Sequence, residues 1–200
     1  MRFTSALILP LASVVSLISA MEAPIPGYDV FIPEWEVKAT PDGETLRING
    51  TVEEVVAELE QINPHYRRSI GLDDPTLMAR QQEELEKRQM VQFHRQNGIC
   101  DHFRGADTGQ IMAAVQYLNW VTGRPRNGGG PANCGRVSCG YKTAVWFCND
   151  APQPRELRSF RDISDGVYAI QNVCHKSRKS YSGQAFHVDM WNVIIRWEDC

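Results

Sequence analysis

The stretch NCGRVSCGYKTAVWFCND, residues 133–150, holds three of the six cysteines of this 200-residue chain. Arg136 to Cys139 and Ala144 to Cys148 have the short runs of strand-forming side chains that are typical of β-structure. The residues between them, Gly140-Tyr-Lys-Thr143, can form a turn. The stretch therefore predicts a cysteine-bearing β-hairpin, with one continuous strand as the alternative.

The elements around this stretch alternate in type. Residues 99–103 predict a short strand, and Asp107 or Thr108 caps a helix that Gly123 stops. A second helix opens at the capping box Ser159-x-x-Asp162 and presents one apolar face, which consists of Ile163, Val167, Ile170 and Cys174. Apolar residues at every second position of 191–197 predict a half-buried final strand.

The resulting order, β-α-β-β-α-β, predicts an α+β fold. Helices would pack on one face of an antiparallel or mixed sheet, giving a small two-layer α/β sandwich of the split βαβ kind. The segment from Gly123 to Asn133 contains four glycines and two prolines. We expect it to be an unpaired, mobile loop.

The N-terminal half predicts a smaller ββα unit over residues 34–63. Residues 34–39 and 45–48 alternate like two strands around the turn signal Pro41-Asp-Gly43. Thr51-Val-Glu-Glu54 is a capping box for a helix that ends before Pro64. Residues 64–88 are polar and charged, and we expect them to form an exposed linker.

All six cysteines follow the dibasic pair Lys87-Arg88. The net charge also changes there: residues 21–88 carry 7 Lys+Arg and 15 Asp+Glu, a net of −8, whereas residues 89–200 carry 13 and 9, a net of +4. These changes predict proteolytic maturation after Arg88, which would remove the first 88 residues and leave Gln89 to Cys200 as the active product. An acidic pro-segment, 21–88, would then precede a mature domain, 89–200, and act as its intramolecular partner that masks, chaperones or solubilises it.

Residues 1–20 predict a signal peptide. Arg2 gives a positive start, residues 7–18 are apolar but interrupted by Pro10, and Ser19-Ala20 suits cleavage. No segment is long and apolar enough to predict a transmembrane span. The protein is therefore expected to be secreted and extracellular, where six cysteines indicate three disulfides. Asn49-Gly-Thr51 is an N-glycosylation sequon at Asn49.

These features resemble those of fungal secreted cysteine-rich proteins that a kexin-type protease matures, many of which are candidate effectors with roles in virulence. The mature domain is also similar to the killer-toxin-like α/β sandwich. The likeness to the secreted proteins includes the hairpin cysteines, Asp162-Ile-Ser-Asp-Gly166, and Gly183-Gln-Ala-Phe-His187 ahead of the last strand. The likeness to the sandwich lies in a Cys-containing hairpin that precedes a helix ending in Cys and a final strand. The resemblance to the secreted proteins implies a kexin-type protease as a partner during maturation. Neither resemblance assigns an activity to any residue of this chain.

The expected topology predicts the disulfides. The second helix should end beside the hairpin turn, which pairs Cys139 with Cys174. The last strand should lie antiparallel to the first, which pairs Cys100 with Cys200. Cys134 and Cys148 remain at the open end of the hairpin.

No catalytic motif, cofactor site or metal site is predicted. The main alternative is a small secreted hydrolase, above all a ribonuclease, built on His102 and His187 with Glu156 or Glu198. However, the spacing of these residues does not support it. A cell-wall glycan-binding module is the other alternative.

One set of residues predicts a contact surface on the mature domain. Trp120 lies off the apolar stripe of its helix, next to the loop that contains Arg124 and Arg126. The other arginines precede or begin the second helix, where positive charge is unfavourable for the helix itself; they are Arg155, Arg158 and Arg161. We expect this surface to meet an extracellular or host target, such as an anionic surface, without specific recognition of nucleic acid. The predicted function is therefore target binding by an effector or killer-toxin-like protein that is not an enzyme.

Overall fold

The computed structural model describes residues 21–87, 92–93, 98–128, 130–176 and 178–200. The predicted signal peptide, residues 1–20, and Arg88 of the dibasic pair lie outside this described part of the chain.

The N-terminal half contains the expected ββα unit. Its strands are antiparallel, with Trp35 opposite Ile48. The capping box is present, and the backbone N–H of Thr51 donates to Glu54 Oε2 at 2.7 Å. The linker 64–88, by contrast, carries two helices. The elements of this half are β1 Asp29–Phe31, β2 Glu34–Lys38, β3 Thr45–Asn49, α1 Val52–Ile62, α2 Tyr66–Ser69 and α3 Pro75–Lys87.

The C-terminal half contains the two predicted helices and more strands than the sequence predicted. Several of these strands are only two residues long. The elements are β4 Ile99–Cys100, β5 Ala106–Asp107, α4 Thr108–Trp120, β6 Arg126–Asn127, β7 Asn133–Gly140, β8 Thr143–Asn149, β9 Arg155–Glu156, α5 Arg161–Cys174, β10 Ser180–Tyr181, β11 Gly183–His187 and β12 Trp191–Trp197.

Six strands form the main sheet in the order β1-β7-β8-β12-β11-β4. All neighbours are antiparallel except β1 and β7. The fold is therefore a mixed α+β fold with three disulfides, but the specific split βαβ sandwich is not confirmed. The unexpected strand β11 separates β12 from β4, because residues 183–187 turn back through residues 188–190 and pair with β12.

The 133–150 stretch forms a hairpin rather than one continuous strand. β7 and β8 are joined by Tyr141 and Lys142, which have φ values of 49° and 63°. Two consecutive residues with positive φ give a turn whose twist matches that of the paired strands. Part of the loop before the hairpin is paired, since Arg126 and Asn127 lie antiparallel to Glu156 and Arg155. The expectation that its glycines and prolines prevent regular pairing is wrong.

Two of the three predicted disulfides are wrong. The bonds join Cys100 to Cys174, Cys134 to Cys148, and Cys139 to Cys200. The error follows from β11, which lies between β12 and β4 and pairs Gly183 with Cys100.

Helix α5 ends beside the start of β11, which pairs with β4. The last residue of the helix, Cys174, therefore lies close enough to Cys100 in β4 to form a disulfide. β12 instead pairs with β8, placing Trp197 opposite Thr143 and the C-terminal Cys200 beside the hairpin turn. Only the cross-strand pair Cys134 and Cys148 is confirmed.

One apolar core spans both halves of the chain. Helices α1, α4 and α5 cover one face of the sheet. Gly166 allows α5 to approach β12 closely, since a Cβ at this position would lie 2.5 Å from Val193 Cγ2. The other face carries a smaller cluster around Trp146 and the Cys134–Cys148 disulfide, against which Tyr28 and Val30 pack.

Candidate contact surface

The six predicted contact residues lie around the N-terminus of α5. Four of them, Trp120, Arg124, Arg158 and Arg161, line one open cavity of about 540 Å³. Arg126 and Arg155 lie next to it on the paired strands β6 and β9. The chain brings these residues together because the end of α4 lies beside the segment that leads into α5.

Glu156 holds the two arginines of the loop. Its carboxylate accepts from Arg126 Nε at 2.5 Å and lies 3.0 Å from Arg124 Nη1. The hydrogen bond from Arg126, together with the positive charge of both guanidinium groups, lowers the pKa of Glu156. Both arginine side chains remain more than 60% exposed. The guanidinium groups are thus positioned by Glu156 and still face solvent.

The start of α5 orders two further arginines. Arg158 donates through its backbone N–H and its Nη2 to the Asp162 carboxylate, at 3.1 and 3.0 Å. This contact raises the pKa of Arg158, chiefly through the side-chain hydrogen bond. Arg161 Nε donates to the carbonyl of Asn119 at 3.1 Å, near the end of α4. Because carboxylates offset several arginines, the surface is a mixed network and not a bare positive patch.

Residues of the N-terminal half border this surface. Trp120 is half-buried beneath Gly71, where a Cβ would lie 2.9 Å from Trp120 Cη2. The carbonyl of Glu36 is equally close to Gly123, since a Cβ there would lie 3.1 Å from that oxygen. Negative charge on Glu34 and Glu36 adds to the effect of Glu156 in raising the pKa of Arg126. The acidic strand β2 therefore lies at the edge of the arginine surface.

A second cavity, of about 280 Å³, adjoins the first and contains His187. Arg155, Glu156, Arg158 and Asp162 contribute to its lining. The imidazole is only 7% exposed and stacks on Trp191, with ring centroids 4.5 Å apart. Burial lowers the pKa of His187, and the charges of Arg155 and Arg158 add to this effect while Asp189 and Asp162 oppose it.

Both ring nitrogens of His187 are engaged. Nδ1 accepts from the backbone N–H of Asp189 at 3.1 Å, which leaves the proton on Nε2 to be donated to Gln92 Oε1 at 3.0 Å. A neutral, fully bonded imidazole is what a structural histidine requires. The geometry therefore gives His187 a packing role in this structure.

The other residues of the ribonuclease hypothesis lie elsewhere. His102 is exposed and follows β4, which pairs with the start of β11, whereas His187 ends that strand. Glu198 accepts from Arg136 Nη1 at 3.0 Å and from Trp146 Nε1 at 2.9 Å. Only Glu156 shares a cavity with His187. The chain therefore does not assemble the two-histidine set.

The predicted processing and glycosylation residues lie in the N-terminal half. Lys87 is the last residue of α3. Asn49 ends β3 and is exposed, next to the buried Thr51 of the α1 cap.

No protein-family model, curated protein or solved structure matches this chain. Among the helices that the structure describes, none is long and apolar enough to cross a membrane. The described residues also contain no group of three or more His, Cys, Asp or Glu side chains placed to hold a metal ion.

Sequence reasoning missed Phe160, which lies between Arg158 and Arg161 and is fully buried. It stacks on Trp35 with ring centroids 3.4 Å apart. Trp35 alternates with Val37 between acidic residues, and this pattern marks an apolar strand face that must be covered. The pattern does not reveal that the residue covering this strand face, Phe160, comes from the C-terminal half.

Proposed function

We propose that this chain is the precursor of a secreted, disulfide-stabilised protein of the effector or killer-toxin-like kind. A kexin-type protease matures it after Arg88, and it acts outside the producing cell by binding a target. The proposal is carried by one observation: Trp120 and the five arginines, which lie apart in sequence, converge around the start of α5. The three disulfides suit an extracellular protein.

The charge network favours a particular kind of target. Arg124, Arg126 and Arg158 each contact a carboxylate but keep exposed guanidinium groups, so a ligand meets N–H donors that Glu156 and Asp162 hold in position. A group with several anionic oxygens can accept from guanidinium groups in pairs, as phosphate does. The surface therefore fits a phosphate-bearing membrane headgroup or an acidic glycan. Trp120 adds a flat apolar face beside these charges.

The experiment uses the full chain as secreted. Its binding to phosphatidylserine vesicles, to sulfated glycan and to chitin is measured by co-sedimentation, and its turnover of RNA is assayed in parallel. Salt-sensitive binding to vesicles or sulfated glycan is the expected result. Chitin binding or RNA turnover would instead favour the glycan-module or hydrolase alternative.

The variant R124E/R126E tests whether binding uses the arginine surface. The matched control is K142E/R178E, which makes the same charge change on exposed residues that each form an ion pair elsewhere. We expect R124E/R126E to lose binding by about tenfold or more, and the control to lose much less. Equal loss in both variants would show only a general charge effect and would contradict the proposed surface.

A further inference from the structure

We propose that cleavage after Arg88 does not release the N-terminal segment. Residues 21–87 remain bound to residues 98–200 as the second chain of a non-covalent complex, which is the secreted form of the protein. This inference rests on the proposed maturation and replaces the expectation that the pro-segment is lost.

The first argument is the shared apolar core. Trp35 and Phe160 are both fully buried, and their rings stack on each other across the boundary between the halves. Helix α1 packs against β7 and α4, and its inward residues, Val52, Val55, Val56 and Leu59, belong to the same cluster as the core of the C-terminal half. Separation would expose apolar surface on both fragments, which water strongly disfavours.

The second argument is backbone pairing. β1 adds a parallel strand to the edge of the sheet, placing Val30 beside Cys134 and Phe31 beside Gly135. The ring of Phe31 occupies the space over Gly135, where a Cβ would lie 2.3 Å from Phe31 Cζ. A side chain at position 135 would therefore block this docking. The C-terminal half thus presents a site shaped for a strand that bears an aromatic residue.

The third argument is a set of polar contacts across the same boundary. The Glu53 carboxylate accepts from Ser138 Oγ at 2.5 Å and from the backbone N–H of Cys139 at 3.0 Å. Ser138 is fully buried, so loss of Glu53 would leave a buried hydroxyl donor unpaired. Tyr28 donates to Asp150 Oδ1 at 3.0 Å, and Arg67 donates to the hydroxyl oxygen of Tyr117 at 2.5 Å. Polar groups therefore fix the orientation of the two halves.

The position of the cut leaves all of these contacts in place. The cut follows α3, whereas the contacts involve residues 28–71 on one side and residues 117–160 on the other. All cysteines lie after the cut, so no disulfide links the fragments. Only non-covalent contacts would then hold the complex. Gly71 and Glu36 would stay beside Trp120 and Gly123, and the contact surface would be formed by two chains.

The test is made on secreted full chain cut between the halves. A second version carries an added cleavage site for an unrelated protease between residues 88 and 92, so the cut is made even if kexin-type protease fails. After complete cleavage, size-exclusion chromatography and native mass spectrometry at about 1 μM should show one complex with both fragments. Two separate fragments in either version would overturn the inference. Failure of kexin-type cleavage alone would contradict only the proposed maturation.

Two variants link the result to the observed contacts. Truncation of a buried Trp typically costs enough free energy to weaken binding at least about a hundredfold, so in a dilution series the W35A fragments should separate at a concentration about a hundredfold higher than the wild-type fragments do. The matched control is R47A, an exposed residue on the paired strand β3. R47A should leave the complex intact. If W35A prevents folding of the uncut chain, E53A replaces it, and unchanged association in E53A relative to R47A would overturn the assignment of this boundary.

Discussion

Residues 21–87 and 98–200 share one apolar core but are stabilised in different ways. The C-terminal half is closed by three disulfides, which join β4 to α5, β7 to β8, and the hairpin turn to the C-terminus. The N-terminal half has no cysteine and depends on its packing against the other half. A disulfide limits the unfolded chain whatever its neighbours do, whereas packing is lost when the partner leaves. Cleavage between the halves should therefore destabilise the N-terminal half more than the C-terminal half.

The largest effect should come from the disulfide that spans the longest segment. Cys100 and Cys174 are 74 residues apart, whereas Cys134 and Cys148 are 14 apart. From loop-closure entropy, C100A/C174A should lower the free energy of unfolding by about 4 kcal/mol and C134A/C148A by about 3 kcal/mol. Urea denaturation of the full chain, followed by Trp fluorescence, measures both. A larger loss in C134A/C148A would contradict this order.

The next largest loss of stability should come from a substitution at the contact between Phe31 and Gly135. G135A places a methyl group inside the Phe31 ring position, and such overpacking should cost about 2 kcal/mol. Because F31A removes that ring, the cost of G135A should fall well below this value in the F31A background. A double-mutant cycle in urea checks the coupling. Strictly additive costs would show that β1 does not dock as the structure places it.

Loss of the Glu53 contacts should lower the free energy of unfolding by less, because the apolar residues of α1 also bind this helix to the shared core. E53A leaves Ser138 Oγ and Cys139 N–H without their acceptor and should cost about 1.5 kcal/mol. E58A, on an exposed position of the same helix, is the control and should change stability by less than about 0.5 kcal/mol. Thermal unfolding of the three proteins measures the difference. Equal melting temperatures for E53A and E58A would contradict the contact.

The smallest effect is a pH dependence in the C-terminal half. The pKa of His187 is lowered in the folded protein, so the unfolded chain binds a proton first as pH falls below about 6.5. Stability contributed by the neutral imidazole is therefore present near pH 7 and lost progressively towards pH 5. Urea midpoints across this range should fall less steeply in H187Q than in the wild type. An equally steep fall in H187Q and in the wild type would contradict this role of His187.

Local signals predicted the local structure well. The capping box at Thr51, the 133–150 hairpin and the strand 191–197 are each marked by a pattern within a few consecutive residues, and each appears where expected. Strand β11 was missed because Gly183-Gln-Ala-Phe-His187 has no clear alternation, and it becomes a strand only by pairing between β12 and β4. That one strand also decides where Cys174 and Cys200 lie, so an error in topology became two errors in disulfide pairing.

The sequence predicted which residues would lie together at the candidate contact surface, but it did not predict their electrostatic environment. Arginines near a helix start are visible in the sequence, and the structure groups them. The carboxylates that contact these arginines cannot be identified from the sequence. Glu156 reaches Arg126 only because two-residue strands, 30 residues apart in the chain, pair with each other. The covering of Phe160 by Trp35 was equally hidden, because it joins segments 125 residues apart whose contact no local pattern encodes.

The parallel strand β1 has a consequence for handling of the protein at high concentration. Without it, β7 would be an eight-residue edge strand with free N–H and C=O groups. Long open edges of this kind pair with other copies and nucleate aggregates. The opposite edge is the two-residue β4, which offers few groups for such pairing. By pairing with β7, β1 therefore protects the protein against edge-to-edge aggregation.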